Sequence, residues 1–416
     1  MNKNKQKVAI IGAGIVGVST AIWLQRDGHD VTLIDKSGPG EGTSYGNGGI
    51  LASCSLIPIP VPGLIAKAPR MLFDPNQPLF VKWGYLPKLM PWLLKYLGHA
   101  NASSVKRRAA ALFPIIGDSL ADHEALSKGT GAEKWLVPSD YLYVYDDRKH
   151  YESDGFGWSV RESHGFELDI LEGQEFHDYD PAFSSDLGCA VRLKNHGYLT
   201  DPGRYIKDLA KHFESKGGRV VTGEVSDIVH ENGKVAGVRI AGETIDCDAA
   251  ILTAGIWSTT LAKKLGLDVP METERGYHVE FWEPSVMPRS PAMVASGKFV
   301  MTPMDGRLRL AGVVEFGGVE APPSDAPIAL LKRNVKTAVP GITWKNTTEW
   351  MGHRPSIVDS IPVIGEVASV KGAYVGFGHD HIGLTGGPKT GRILSQLVSG
   401  KRPNLDLAFY SPSRFQ

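Results

Sequence analysis

Gly12, Gly14 and Gly17 fall at the G-x-G-x-x-G spacing, and Asp35 closes the run Val31-Thr-Leu-Ile-Asp35 downstream. Glycines so placed let a backbone turn tightly and approach a pyrophosphate, whose charge the N–H groups and positive dipole end of a following helix can receive. Gly12 permits the turn, Gly14 the close approach, and Gly17 tight packing of helix on strand. An acid ending the next strand is placed to accept from a ribose hydroxyl. The chemistry open to these residues is the binding of a dinucleotide.

The elements that must position them read clearly. Residues 8–11 form a buried strand, 15–24 a helix and 31–35 a second strand, the βαβ context that a lone glycine motif lacks. A glycine-rich turn packed for its own sake would leave Asp35 unexplained. Lys3, Lys5 and Lys7 ahead of an apolar run also suit a secretory leader, but the βαβ pattern runs on where a cleavage site would fall.

Residues 36–52 are a loop of small residues against which a ligand could lie. Residues 56–98 are rich in Pro and large apolar residues, among them Ile57, Ile59, Met71, Trp83, Trp92 and Tyr96, interleaved with Lys67, Arg70, Lys82, Lys88 and Lys95. Packing over the other domain is the favoured reading of this stretch, and peripheral contact with a membrane or partner is the alternative. A helix is expected over 102–128, short strands and turns over 129–200, and an amphipathic helix over 204–217. Strands follow at 220–222, 225–230, 235–240 and 243–247. Residues 249–255 read as a buried parallel strand, with Ala254 and Gly255 at the C-terminal end where such sheets hold ligands. Alternation at 277–281 and 308–314 implies a second sheet, and 353–400 carry the last glycine-rich block.

These patterns define an α/β fold with a discontinuous, Rossmann-like nucleotide domain made of residues 1–55, 200–268 and 352–416. An α+β substrate domain on a mainly antiparallel sheet, residues 56–199 and 269–351, is inserted between the pieces. A length of 416 residues suits two domains. Forty-five basic residues against 45 acidic ones leave no net charge, which excludes the basic field of a nucleic-acid binder. Cys54, Cys189 and Cys247 lie far apart without metal-ligand spacing, so neither a disulfide framework nor a metal site is expected, and a reducing cytoplasm is. With no run suited to a spanning helix, the expected location is cytoplasmic, at most peripheral on the inner face of the membrane.

Beyond the first glycines, four further motifs carry a family resemblance: Thr43-Ser-Tyr-Gly-Asn-Gly-Gly49, Ala254-Gly-Ile-Trp257, Arg354-Pro-Ser-Ile-Val-Asp-Ser-Ile-Pro-Val-Ile-Gly365 and Gly378-His-Asp-His-Ile-Gly-Leu-Thr385. With them the chain resembles the FAD-dependent D-amino acid dehydrogenase and oxidase superfamily, and the bacterial D-amino acid dehydrogenase small-subunit type most nearly. The resemblance runs essentially from the first strand to the tail. It implies an FAD-binding domain with FAD on Gly12, Gly14, Ile15, Val16, Gly17, Asp35 and Lys36. Thr43, Ser44, Asn47, Gly48, Gly49 and Leu51 would line the pyrophosphate and the isoalloxazine. Val225 would meet adenine, and Ala254, Gly255 and Trp257 the ribityl chain. Gly378, His379, His381, Ile382, Gly383, Leu384 and Thr385 would bring backbone donors and a helix dipole to the flavin's pyrimidine edge. Asn47 stands where some relatives place a histidine or attach FAD covalently, which implies non-covalent FAD. Ordinary turn chemistry is the alternative reading for Asn47 and Thr385.

The implied reaction removes hydride from an amino acid's Cα to flavin N5, giving an imino acid, with electrons passed to a quinone or another carrier. The substrate is a small D-amino acid or a secondary or cyclic one of the D-proline type. A guanidinium can grip its carboxylate with both arms. Arg354 matches the arginine that opens the family's penultimate motif, with an ion pair to Asp359 as its structural alternative. Arg275 either lines the flavin edge or pairs with Glu274. Tyr277 and His278 either hold the substrate or simply pack, and His379 and His381 are read as satisfying backbone groups rather than as bases. Rival readings are a glycine- or sarcosine-type oxidase making peroxide, a nicotinamide dehydrogenase, and a non-catalytic FAD-binding protein.

Overall fold

The computed structural model describes residues 5–64, 66, 71, 72, 74 and 76–415. Lys67 and Arg70 lie outside the described residues.

Strand β1 (Lys7–Ile11), helix α1 (Ile15–Arg26) and strand β2 (Asp30–Asp35) form the first βαβ unit. Their near-continuous apolar runs are those of a parallel sheet covered on both faces. The sheet has six strands in the order Val363–Glu366, Ala373–Phe377, Ala249–Leu252, β1, β2, Arg219–Thr222. All pairs are parallel except the first, so one antiparallel strand edges an open α/β sheet. Its strands come from three separated stretches of chain, joined by β1 at the centre: Val8 pairs with Ala249 on one side and with Val31 on the other. Helix Gly383–Val398 covers α1 closely, because Gly387 and Gly391 face Ile15 and Ser19 at separations that leave no room for a side chain.

The second sheet runs Asn346–Ile357, Met271–Trp282, Arg307–Phe316, Phe299–Met304, Ala292–Val294, Leu136–Tyr145, Cys189–Leu199, Ile50–Leu51. It is antiparallel apart from the Ala292–Val294 pairing with Leu136–Tyr145 on this path. Helix Asp325–Ala338 covers one face, burying Leu330 and Leu331 against Tyr277, Val279, Phe281, Leu308 and Leu310. A separate three-stranded antiparallel sheet comprises Val225–Glu231, Lys234–Ile240 and Glu243–Asp246.

Two local expectations change. In place of one helix over 102–128 there are two, Ala102–Ile116 and Ser119–Ser127. The chain leaves helical geometry at Asp118 (φ −101, ψ 28), after a glycine that also favours the break. Residues 129–200 hold not only short strands but two long ones, Leu136–Tyr145 of 10 residues and Cys189–Leu199 of 11. Tyr141, Tyr143 and Tyr145, all buried, hide their alternation.

Candidate active site

The glycine turn is held by close approach rather than by side chains. Gly12 has φ +103, and a Cβ there would stand 2.6 Å from the Thr253 carbonyl oxygen. A Cβ on Gly17 would overlap the Gly12 carbonyl. Ser44 Oγ accepts from the Ile15 N–H (3.1 Å). Asp35 Oδ2 accepts from Ala13 N (2.8 Å), and Oδ1 from Ser37 N (2.8 Å) and Gly38 N (3.1 Å), so this carboxylate braces the turn. Gly14 caps α1 without a side-chain acceptor, and no acid sits in the first turn. With only the Ile15 N–H taken by Ser44, a helix start approached over glycine still suits an anionic pyrophosphate.

Beside it Lys36 Nζ lies 3.7 Å from the centre of the Trp257 ring, which is edge-on to His353. Trp257, just past the end of strand Ala249–Leu252, is 47% exposed. Gly255 there has φ +58 and open space on its side-chain side. Val225 begins its strand buried at the small sheet, while helix Gly383–Val398 starts at Gly383 with Ile382 as an uncapped N-cap. These features fit the elongated FAD: pyrophosphate at α1, a flat apolar wall by Trp257, and an unfilled dipole end at Gly383.

The 43–49 loop crosses the second sheet and is pinned through its carbonyls. Arg309 Nη1 donates to Tyr45 O (3.0 Å) and Asn47 O (2.6 Å), and Thr302 Oγ1 to Gly48 O (2.6 Å). His278 Nδ1 lies 3.0 Å from Gly46 O, and its ring stacks on Trp350. Gly46 must be glycine, since a Cβ would fall inside the Trp350 ring. Asn47 Oδ1 accepts from Gly49 N (2.9 Å), and Thr43 Oγ1 donates to His353 O (2.8 Å). Arg309 is itself fixed by Glu280, which also takes Arg307 Nε (2.5 Å). Burial alone would raise the Glu280 carboxyl, but Arg309 and Arg307 hold it down to about 2. None of Glu280, Arg307, Arg309 or Trp350 was singled out from sequence. Their only signal is a charged or aromatic residue repeated on one face of neighbouring strands.

Arg354 lies on the same face, directly across the strand pair from Glu274. Its guanidinium rests flat on Gly276, where any side chain would collide with it. Nη1 donates to Val313 O (3.2 Å). No carboxylate lies within ion-pair distance of Arg354 among the described residues, because Asp359 pairs instead with Arg414 (3.0 Å). Among the described residues the rest of the guanidinium makes no hydrogen bond. His381 sits beside it. Both residues are crowded by protein yet remain accessible, as the walls of a cleft are. Crowding and then the Arg354 charge push His381 down to about 4, so this imidazole is neutral at physiological pH.

Arg275 and Tyr277 take the opposite face, which corrects both readings of Arg275. It neither pairs with Glu274 nor reaches the cleft: it is fully buried, 3.2 Å from Glu315, and donates to Pro322 O (2.6 Å). Tyr277 Oη donates to Glu315 Oε2 (2.6 Å) and accepts from Ser324 N (3.0 Å). Both residues tie the 317–324 segment to the sheet. His278 is on the cleft's face but buried under the 43–49 loop, and burial followed by Arg309 pushes it to about 3. His379 Nε2 meets the Thr390 hydroxyl at 2.9 Å, a side chain rather than a backbone group. Thr385 Oγ1 reaches Ile50 O at 3.4 Å, joining the start of its helix to the strand that carries Leu51.

A parallel nucleotide sheet, an uncapped helix above a glycine turn, and an antiparallel sheet closing over it define an FAD-dependent oxidoreductase. The chain belongs to the family described as FAD dependent oxidoreductase (DAO), whose model matches residues 7–397. It is 37% identical to a D-amino-acid oxidase of Bradyrhizobium diazoefficiens over 98% of each chain. It is 28% identical to a D-amino acid dehydrogenase of Helicobacter pylori, again over 98% of each. Among solved structures, glycine oxidase from Geobacillus kaustophilus shares the fold with a TM-score of 0.76 at 21% identity, covering 99% of each chain.

Proposed function

We propose that this chain oxidises the Cα–N bond of a D-amino acid, or of a secondary or cyclic amino acid of the D-proline type, to an imino acid. The observation that carries the reading is Arg354: a deeply set guanidinium, seated on Gly276, with no carboxylate within ion-pair distance among the described residues. An unneutralised cation in a crowded cleft is costly unless an anion comes to it. A substrate carboxylate held there by paired N–H groups is fixed in orientation as well as in place, so one face of Cα is presented. Bound non-covalently, FAD supplies the two-electron acceptor for the Cα hydrogen. His381, neutral above about pH 4, adds no second cation to the cleft, so a zwitterion's ammonium meets little repulsion.

The D configuration rests on the names of the relatives at 37% and 28% identity. For the acceptor we take a membrane carrier such as a quinone. Helix Leu86–Leu97 buries Leu89, Trp92 and Tyr96 and turns Met90 and Leu94 (63% exposed) outward, with Trp83 beside it and Lys88 and Lys95 at the margin. An apolar patch ringed by lysines suits an anionic bilayer surface. No helix among the described residues is long and apolar enough to cross a membrane. Dioxygen is the second reading, favoured by the oxidase name of the 37% relative.

Anaerobic mixing of the flavoprotein with D-, L- and N-methyl amino acids tests the substrate reading. Bleaching of the flavin band by D-amino acids is expected. Bleaching by L-amino acids alone would overturn the D assignment, and none by any of them would overturn the reaction. Peroxide formed in step with turnover in air would replace the carrier by dioxygen.

A further inference from the structure

Close to Arg354, buried polar side chains from several segments crowd together. Among the described residues Glu274 Oε2, Ser356 Oγ, Ser360 Oγ, Tyr96 Oη, and Arg108 Nε and Nη1 are all buried without a well-formed hydrogen bond, with Tyr96 and Ser356 close to the Glu274 carboxyl and Ser356 and Ser360 close to Asp380. Tyr96 comes from helix Leu86–Leu97, Arg108 from helix Ala102–Ile116, and the others from the Arg354 strand pair and the turn after it. Asp380 completes the group. Its Oδ1 accepts from Ile357 N (3.1 Å) and its N–H donates to Pro355 O (3.2 Å), which holds it at φ +46 over the strand end next to Arg354. Glu274 and Asp380 thus both lie close to Arg354, one across the strand pair and the other at the strand end.

Two carboxyl groups in such a place cannot both ionise cheaply. Burial raises each of them, and for Asp380 the nearby Glu274 raises it further, while the Arg354 charge works the other way on Glu274. Their other neighbours are settled. Tyr96 is held well above its ordinary range, Arg108 and Arg354 stay cationic, His381 is neutral, Asp359 is paired with Arg414, and Glu272 is bonded by Tyr85 Oη at 3.0 Å. Glu274 and Asp380 are thus the fully enclosed acids beside Arg354 that burial raises, with Glu272 raised as well but bonded by Tyr85.

We propose that Glu274, paired with Asp380, is a positioning residue that sets the grip of Arg354 on a carboxylate through the proton the two acids share. With the proton in place, the two acids carry at most one negative charge between them and Arg354 keeps a pull on an anion in the cleft. Once it leaves, a second anion behind the guanidinium competes with the substrate's carboxylate. By linkage, binding a carboxylate draws that proton back in. The inference rests on Arg354 as the carboxylate site.

Propionate tests it, since it has a carboxylate and no amine to titrate. Its Kd for the FAD-loaded protein is read from the flavin spectrum between about pH 6 and about pH 9.5. A unit charge a few ångströms behind the site weakens binding by about tenfold or more, so the wild-type Kd rises by that factor across the range. E274Q and D380N each flatten the rise. Proton uptake on propionate binding, measured on the wild type in weak buffer, needs no variant and is expected wherever the Kd is climbing. A flat wild-type profile, no proton uptake, or the same climb in E274Q overturns the proposal. If Arg354→Met binds propionate as the wild type does at every pH, the carboxylate site itself is wrong, a different failure.

Discussion

Replacing Arg354 by methionine keeps the apolar stem and removes the cation. One N–H of the wild-type guanidinium is used by Val313 O and the remainder faces the cleft. Truncating one partner of a desolvated, hydrogen-bonded charge pair costs about 2–5 kcal/mol. At about 1.4 kcal/mol per decade, kcat/KM should fall by roughly 30- to 4,000-fold. The fold should survive. Glu274, the carboxyl across the strand pair, is already raised by burial and takes up a proton once the Arg354 charge is gone, so no buried anion is stranded. Flavin content should also hold, because among the described residues Arg354 makes no hydrogen bond or ion pair to the α1 turn or the Ser44 loop. Arg354→Lys restores charge without the planar fork and should recover only part of the loss. Rapid-mixing measurement of anaerobic flavin reduction against substrate concentration gives both the limiting rate and the apparent Kd. A methionine variant within about threefold of wild-type kcat/KM would refute the reasoning, since an unused buried cation would be nearly neutral to remove.

Gly46→Ala drives a methyl into the Trp350 ring and should dislodge the 43–49 loop, seen as flavin lost on gel filtration while far-ultraviolet dichroism persists. His379 is buried, and its environment pushes it from 6.5 to about 4. The unfolded imidazole takes a proton at about pH 6.5 where the folded one does not, so this contribution is intact above that pH and is lost as pH falls toward 4, by about 3 kcal/mol. His379→Gln should flatten that part of the acid limb in urea titrations, and an unchanged limb would count against the assignment. Leu94→Glu, on the outward face of helix Leu86–Leu97, should reduce sedimentation with anionic vesicles and leave dye-coupled turnover in solution unaltered.

What the sequence discloses depends on whether burial leaves a pattern. The first βαβ unit is legible because its glycines are sterically compelled and its strands uniformly apolar. The substrate sheet shows itself as a sheet through the alternation at 277–281, but not which of its faces meets the cleft. Met271–Trp282 is buried along most of its length on both faces, so burial does not tell the two apart. A register shift between Tyr277 and His278 in its pairing with Arg307–Phe316 blurs the pairing further. Glu274, Arg275, Tyr277 and His278 therefore look equivalent in the motif, though only Glu274 lies behind Arg354, and Arg275 and Tyr277 serve the far side. Arg309 and Glu280 stand apart in sequence and meet only through strand pairing.

The charges on this sheet narrow what the cleft can be for. On the covered face Arg275 is matched by Glu315; on the other, Arg307 and Arg309 share Glu280, with Asp201 also on Arg307. Each of these cations has its carboxylate within the protein. Arg354 breaks the rule: the acid across from it is kept beyond ion-pair distance and biased toward its neutral form, and the nearest other acid along the chain is taken by Arg414. A sheet that neutralises three buried guanidiniums and leaves the fourth open to a cleft is arranged to receive an anion there. On the proposed function the flavin's own phosphates would be drawn to the helix start at Gly14, so the anion proposed for Arg354 is the substrate's carboxylate.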